Sequence, residues 1–291
     1  MRNTLYRILH QLYPLLPKRR FKGVIFPFYH AVSNEPRVHY KHLFELRTVE
    51  AFQADLDYLQ SNYRALSLEE AIAYDSNEPA FHLSFDDGFS ECYELIAPIL
   101  EERGLSATFF LNPEFLDNKG LMHRCKASVL TEAEPEKRGE FMSIRYRQKG
   151  LLDALAIDMG IDWDEYLQIE KPYMNVEQVQ DLVKRGFSIG SHSLDHPEFP
   201  LISPEQQVEQ IKKSQQELEG LLGLRPDVFA FPFEDLGADS ACFEVLKENY
   251  SASFGTSGIK KDPRANHFQR LDMEKAKWSG KELLELKVLM S

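Results

Sequence analysis

The chain has 291 residues, with 46 acidic against 34 basic side chains and a formal charge of −12, which argues against nucleic acid as its main partner. An apolar content of 43%, with 12 Tyr and 20 Phe, places it among globular proteins with a sizeable core. Three cysteines (Cys92, Cys125, Cys242), far apart and without a C-x-x-C pair, exclude a disulfide framework or a thiolate zinc site and favour a reducing compartment.

The first expected element is a basic arm over residues 1–21. Leu5, Ile8, Leu9 and Leu12 recur there at helical spacing beside Arg2, Arg7, Lys18, Arg19 and Arg20. That is the composition of an interfacial helix, and residues 1–22 could make a peripheral contact with an anionic membrane. The plainer reading is a helix packed on the domain. The stretch has no unbroken apolar h-region with a small-residue cleavage site, and no later segment approaches the roughly 20 apolar residues of a membrane span. The expected location is therefore the cytoplasm, at most the inner face of the membrane.

From residue 22 to 291 the sequence reads as one domain in which short β-rich runs alternate with longer amphipathic ones. The expected strands are "GVIFPFYH", "FHLSF", "SATFFL", "FSIGSH", "VFAFP", "SASFG" and "HFQRL"; the expected helices cover 48–62, 91–103, 175–185, 203–222 and 239–248. Ser203-Pro204-Glu205 has the pattern of an N-cap, a proline at N1 and an acidic first turn, while Gly104, Gly186 and Gly223 each follow a helical run as left-handed stops. Strand followed by helix, repeated, implies parallel strands with crossover helices, and at this length a (β/α) barrel is the natural closure. Residues 112–174 break the rhythm and are too long for a plain βα connection, so they are expected to form an inserted rim segment.

In parallel α/β folds the reactive groups collect where strands end. His30 closes the first run, Asp86 and Asp87 the second, His192 the fourth and Pro232-Phe233 the fifth, while Arg270 lies in the last. Adjacent aspartates at a strand end repel each other and require a cation, a shared proton or open water. His192 and His196, four apart, together with one of those aspartates make a two-histidine, one-carboxylate set with open positions. Such a set suits a catalytic divalent ion, zinc first, with iron, cobalt or manganese as alternatives.

These residues resemble the polysaccharide deacetylases, the family that shares the chitooligosaccharide deacetylase domain. The T-F-D-D-G motif of that family corresponds to Ser84-Phe85-Asp86-Asp87-Gly88 and the H-[ST]-x-x-H motif to His192-Ser193-Leu194-Asp195-His196. The resemblance runs over about residues 22–272 and implies an irregular (β/α) barrel of seven to eight strands. It implies Asp86 as the catalytic base and Asp87, His192 and His196 as metal ligands. It also implies that the Pro232-Phe233 turn supplies a backbone N–H to the oxyanion, while His30, at the end of the first run, is open to two readings, a contact with substrate or a hydrogen bond to a neighbouring loop. The activity implied is metal-dependent removal of an N-acetyl or similar acyl group from an amino sugar in a glycan or glycan precursor.

Three departures from the family pattern stand out. No L-x-x-H motif follows Phe254, which leaves His267 as the only late histidine in the place of the general acid. Ala230 stands where many members carry an arginine that pairs with the catalytic aspartate, and Arg270 is the expected replacement. Glu234 follows the Pro-aromatic pair where glycine is common. These departures keep two rivals in view: an O-acyl esterase or deformylase acting on a lipid-linked sugar, and a catalytically silent glycan-binding barrel.

Overall fold

The computed structural model describes Tyr13, residues 19–274 and residues 278–291. The expected arm helix, with Leu5, Ile8, Leu9 and Leu12, lies outside the described residues. Among the described residues no helix is long and apolar enough to cross a membrane.

Eight short strands form the central sheet: β1 (Pro27–Tyr29), β2 (Leu83–Phe85), β3 (Ala107–Leu111), β4 (Ser188–Ser191), β5 (Val228–Ala230), β6 (Ala252–Gly255), β7 (His267–Gln269) and β8 (Leu271–Asp272). Their spatial order is β7-β6-β5-β4-β3-β2-β1-β8, and every neighbouring pair is parallel. The last expected strand, "HFQRL", is split: β7 pairs with β6, β8 pairs with β1, and only Arg270 separates them. The Arg270 N–H donates to the Gly255 carbonyl (3.0 Å), and the Leu271 N–H donates to the Phe26 carbonyl (2.8 Å). One extended stretch thus joins the two sheet edges, and the barrel closes through Arg270.

Side-chain alternation fills the barrel with rings. Phe110 on β3 meets Phe254 on β6 with centroids 5.6 Å apart, although those strands are not neighbours, and Phe26 and Phe268 complete the group. Gly190 on β4 gives these rings room, because a Cβ there would lie 2.4 Å from the Phe110 ring. A second, larger apolar cluster lies outside the sheet, where Phe52, Phe85, Phe109, Leu182 and Leu218 pack beneath the surrounding helices.

Those helices start where the caps direct. Ser203 accepts from the Gln206 N–H in a capping box with Pro204 at N1, and helix Pro204–Leu222 stops at Gly223 in the left-handed conformation (φ 70°). Each such cap contributes about 1 kcal/mol. The helix expected over 91–103 differs: a π turn, Cys92–Ile96, runs into a short α-helix, Ala97–Glu102. The β6–β7 connection, residues 256–266, contains no helix.

Between β3 and β4 the chain makes an excursion through helices His123–Ala133, Gly150–Asp158 and Trp163–Glu170 before helix Val176–Lys184 returns it to the barrel. The excursion carries its own apolar cluster around Leu130, Phe141 and Leu152.

Candidate active site

The two adjacent aspartates are separated by a sharp turn. Asp86 continues β2, its N–H donating to the Tyr29 carbonyl at 2.9 Å. Asp87 (φ 69°) and Gly88 (φ 68°) then both enter the left-handed region, which swings the second carboxylate away from the first. Glycine suits position 88 on two counts: the φ, and a Cβ that would lie 2.9 Å from Leu111.

The carboxylates have different partners. Arg270 donates to Asp86 through two parallel hydrogen bonds, Nη1 to Oδ1 (2.6 Å) and Nη2 to Oδ2 (2.8 Å). Its guanidinium also stacks over Phe28 and reaches Ser84 Oγ (3.2 Å) inside the barrel. Burial would raise the Asp86 pKa, but the Arg270 charge, with His192 beside it, holds the carboxyl below its ordinary value. Asp87 instead faces the histidines: His196 Nε2 lies 3.1 Å and His192 Nε2 3.5 Å from its Oδ1. Burial again works to raise the pKa, and the charge and contact of His196 bring it well below the carboxylate range.

His192 follows β4 and donates its Nδ1–H to the Ala230 carbonyl at 2.9 Å, so its Nε2 is an acceptor aimed at the aspartates. Burial lowers its pKa to about 4, against the opposing pull of Asp86, and the ring is neutral at pH 7. His196 (φ 60°) packs its ring edge-on against Phe233, centroids 4.6 Å apart.

Asp87, His192 and His196 pass a test for a metal site on this geometry. Their ligand-type atoms all lie within 4.8 Å of one another, and all three residues are buried. Neither Asp87 oxygen receives a well-aligned hydrogen bond, which for a buried carboxylate is costly unless a cation sits beside it.

Above the group lies a cavity of about 440 Å³ lined by His30, Asp86, His192, His196, Phe233 and Arg124, among others. His30 closes β1 and presents its Nδ1 to Glu274 Oε2 at 2.5 Å. Glu274, just beyond β8, also accepts from the backbone N–H groups of His30 (2.8 Å) and Ala31 (3.2 Å). Burial opposes charge on His30, yet the Glu274 carboxylate overcomes it and pushes the imidazole pKa up to about 10. Phe44 stacks on the ring at 3.9 Å.

Phe233 (φ 56°) lines the cavity and is 41% exposed, while Pro232 is buried and does not line it. His267 is elsewhere. It begins β7 on the outer side of the barrel, against a separate cavity of about 510 Å³, bonded to Ser253 Oγ (2.7 Å) and Asp235 Oδ2 (3.1 Å). The late histidine that the sequence offered as general acid does not reach the site.

The participants without a sequence signal include Glu274, which lies 244 residues from His30, Phe44 on the His30 ring, and the cavity-wall residues Met122 and Arg124, which come from the excursion between β3 and β4.

A parallel barrel with aspartates and histidines gathered at the C-terminal mouth of its strands defines the (β/α)-barrel class to which carbohydrate deacetylases belong. The polysaccharide deacetylase profile matches residues 73–249, and the chain belongs to that family. It is 22% identical over 187 residues to the candidate polysaccharide deacetylase YxkH of Bacillus subtilis. That match covers 62% of this chain and 48% of the relative, so the chain spans about half the length of the curated relative it matches. Several solved structures share the fold. IcaB from Ammonifex degensii superposes with a TM-score of 0.63 at 19% identity, covering 91% of this chain and 98% of that one. The deacetylase PplD from Streptococcus pyogenes, determined in complex with acetate, gives 0.63 at 16% identity and covers 92% and 99%.

Proposed function

We propose that the protein is a metal-dependent hydrolase that removes the N-acetyl group from an amino sugar in a glycan or glycan precursor. The observation that carries this reading is the division of labour between adjacent carboxylates: Asp86 is gripped by Arg270, and Asp87 faces two histidine nitrogens. Asp87, His192 and His196 would hold the ion, zinc first. When bound, a divalent ion supplies Lewis acidity toward an acyl carbonyl and makes water a stronger acid.

The chain's own groups account for the proton transfers. Asp86, kept ionised by Arg270, accepts a proton from the attacking water as general base. Hydrolysis of the amide then needs a proton on the departing amine. His30 is the group placed to give it, since Glu274 occupies Nδ1 and the ring lines the cavity. Phe44 and Glu274 fix that ring from its face and its edge. The products are acetate and the free amino sugar, and the proton Asp86 gains balances the one His30 loses.

This arrangement weakens both rival readings. The silent barrel was motivated by a missing arginine and a missing acid, and the ester hydrolase by the missing acid and the basic arm; Arg270 and the His30–Glu274 pair supply candidates for the arginine and the acid. The reading is tested by acetate release from N-acetylated amino-sugar oligomers, with and without chelator. Turnover that zinc restores after chelation is expected. Acetate release indifferent to chelator, or none from any N-acetylated oligomer with zinc present, would overturn it.

A further inference from the structure

The loop carrying both histidines, residues 192–198, has an internal hydrogen bond in which the His196 N–H donates to Ser193 Oγ at 3.1 Å. Ser193 (φ 67°) and His196 (φ 60°) both occupy the left-handed region that residues with a Cβ rarely enter. That internal bond is supplemented by contacts from outside the loop.

Two of the holds come from the barrel. Asn112, after β3, donates to the carbonyls of His192 and Ser193, the latter at 3.0 Å. Gln210, on helix Pro204–Leu222, accepts from the N–H groups of Leu194 (3.0 Å) and Asp195 (3.3 Å) and donates to Asp195 Oδ1 at 2.8 Å.

The third hold comes from the excursion between β3 and β4. The Tyr146 hydroxyl donates to the Asp195 carboxylate, 2.7 Å from both oxygens, and the Tyr146 backbone N–H donates to Glu198 Oε2 at 2.9 Å. Lys149 Nζ adds an ion pair with Asp195 at 2.5 Å, but its side chain is 49% exposed, and exposed pairs contribute little. The part-buried Tyr146 thus fastens the residue immediately before His196 and the residue two after it.

We propose that Tyr146 is a positioning residue for His196. Through Asp195 it makes the seating of the inserted segment a determinant of metal affinity. The proposal rests on the reading of Asp87, His192 and His196 as the ligands. Outer groups that orient ligands typically change metal affinity 10–100-fold when removed. Tyr146 is set apart from such groups by its origin, since it belongs to an excursion that the barrel's pairing does not require. The same excursion brings Met122 and Arg124 to the cavity wall, so wall and metal loop share one support.

The test uses the full chain and zinc, with affinity read by competition against a chromophoric chelator. Tyr146→Phe removes only the hydroxyl and keeps the ring. It is expected to weaken zinc binding by about 10–100-fold while the metal-free protein melts at the parent's temperature. At saturating zinc its turnover should return toward the parent's, because no reacting group has changed. Asp195→Asn should weaken zinc binding in the same way, and adding Tyr146→Phe to it should cost little more. Parental zinc affinity in Tyr146→Phe, or a loss matched by destabilised metal-free protein, would overturn the positioning role alone. A parent chain that binds no zinc, or binding that survives His196→Ala, would overturn the underlying assignment of ligands and the positioning role with it.

Discussion

Arg270, the single residue between β7 and β8, reaches through the barrel interior and grips Asp86 at the end of β2 with two parallel hydrogen bonds. A planar guanidinium makes that pair; a lysine ammonium makes at most one of the two bonds. Arg270→Lys and Arg270→Ala are therefore expected to lose turnover to a similar degree, about 10²–10⁴-fold if the base is disabled, and to keep bound metal. Near-normal turnover in Arg270→Ala would show that Asp86 needs no cation to hold it.

His30 and Glu274 form a pair whose value is expected to be catalytic. Glu274→Gln keeps the side-chain volume but removes the charge that holds a proton on His30, so turnover should fall while zinc content stays at the parent's level. His30→Gln should fall further, within the roughly 10²–10⁴-fold range of lost acid catalysis. Substrates with better leaving groups should be less affected by His30→Gln than amides are. An equal loss on activated esters and on amides would contradict an acid role.

His82 provides a pH-dependent contribution to stability away from the site. It is buried between the Leu66 carbonyl (2.9 Å) and Thr108 Oγ1 (2.8 Å), and burial lowers its pKa to about 4. The unfolded chain, with a histidine pKa of about 6.5, binds the extra proton first. The stability contributed by this group is thus complete above about pH 6.5 and is lost as the pH falls toward 4, by an amount on the order of 3 kcal/mol. Denaturant titrations between pH 7 and 4 should show a shallower loss in His82→Leu than in the parent, whatever the variant's absolute stability. Parallel curves would contradict it.

Gly190 is expected to tolerate no side chain, because its missing Cβ is the space that the Phe110 ring uses inside the barrel. Gly190→Ala should destabilise by about 1–3 kcal/mol, the usual cost of overpacking. Urea unfolding of the metal-free protein measures this, and a change within 0.5 kcal/mol, about the scatter of neutral substitutions, would mean that Phe110 can move aside.

The fold was legible because its signals are local. Alternating runs, the Ser203 cap and the Gly223 stop each report on a few neighbouring residues, and parallel closure follows from their order. Asp86, Asp87, His192 and His196 were legible for the same reason, being short patterns at strand ends that a parallel barrel brings together. Arg270 could be anticipated from the gap left by Ala230, though not that it would sit at the barrel's seam. The acid could not. The one histidine after Phe254, His267, lies in β7, where alternation turns it outward; barrel closure instead sets β8 beside β1, bringing Glu274 to His30. No periodicity encodes a contact across 244 residues. The Tyr146 contact with Asp195 was hidden similarly, inside an excursion read only as an interruption.

The proposed division of labour between Asp86 and Asp87 is read out by metal content across their two asparagine variants. Zinc should be counted per chain by elemental analysis in the parent, Asp86→Asn and Asp87→Asn after identical loading and desalting, with deacetylation measured on the same samples. The parent and Asp86→Asn should each retain about one ion, as a single three-ligand site requires, with Asp86→Asn inactive, while Asp87→Asn should lose both metal and activity. Equal zinc in both variants, or loss from Asp86→Asn alone, would contradict the division of roles between them.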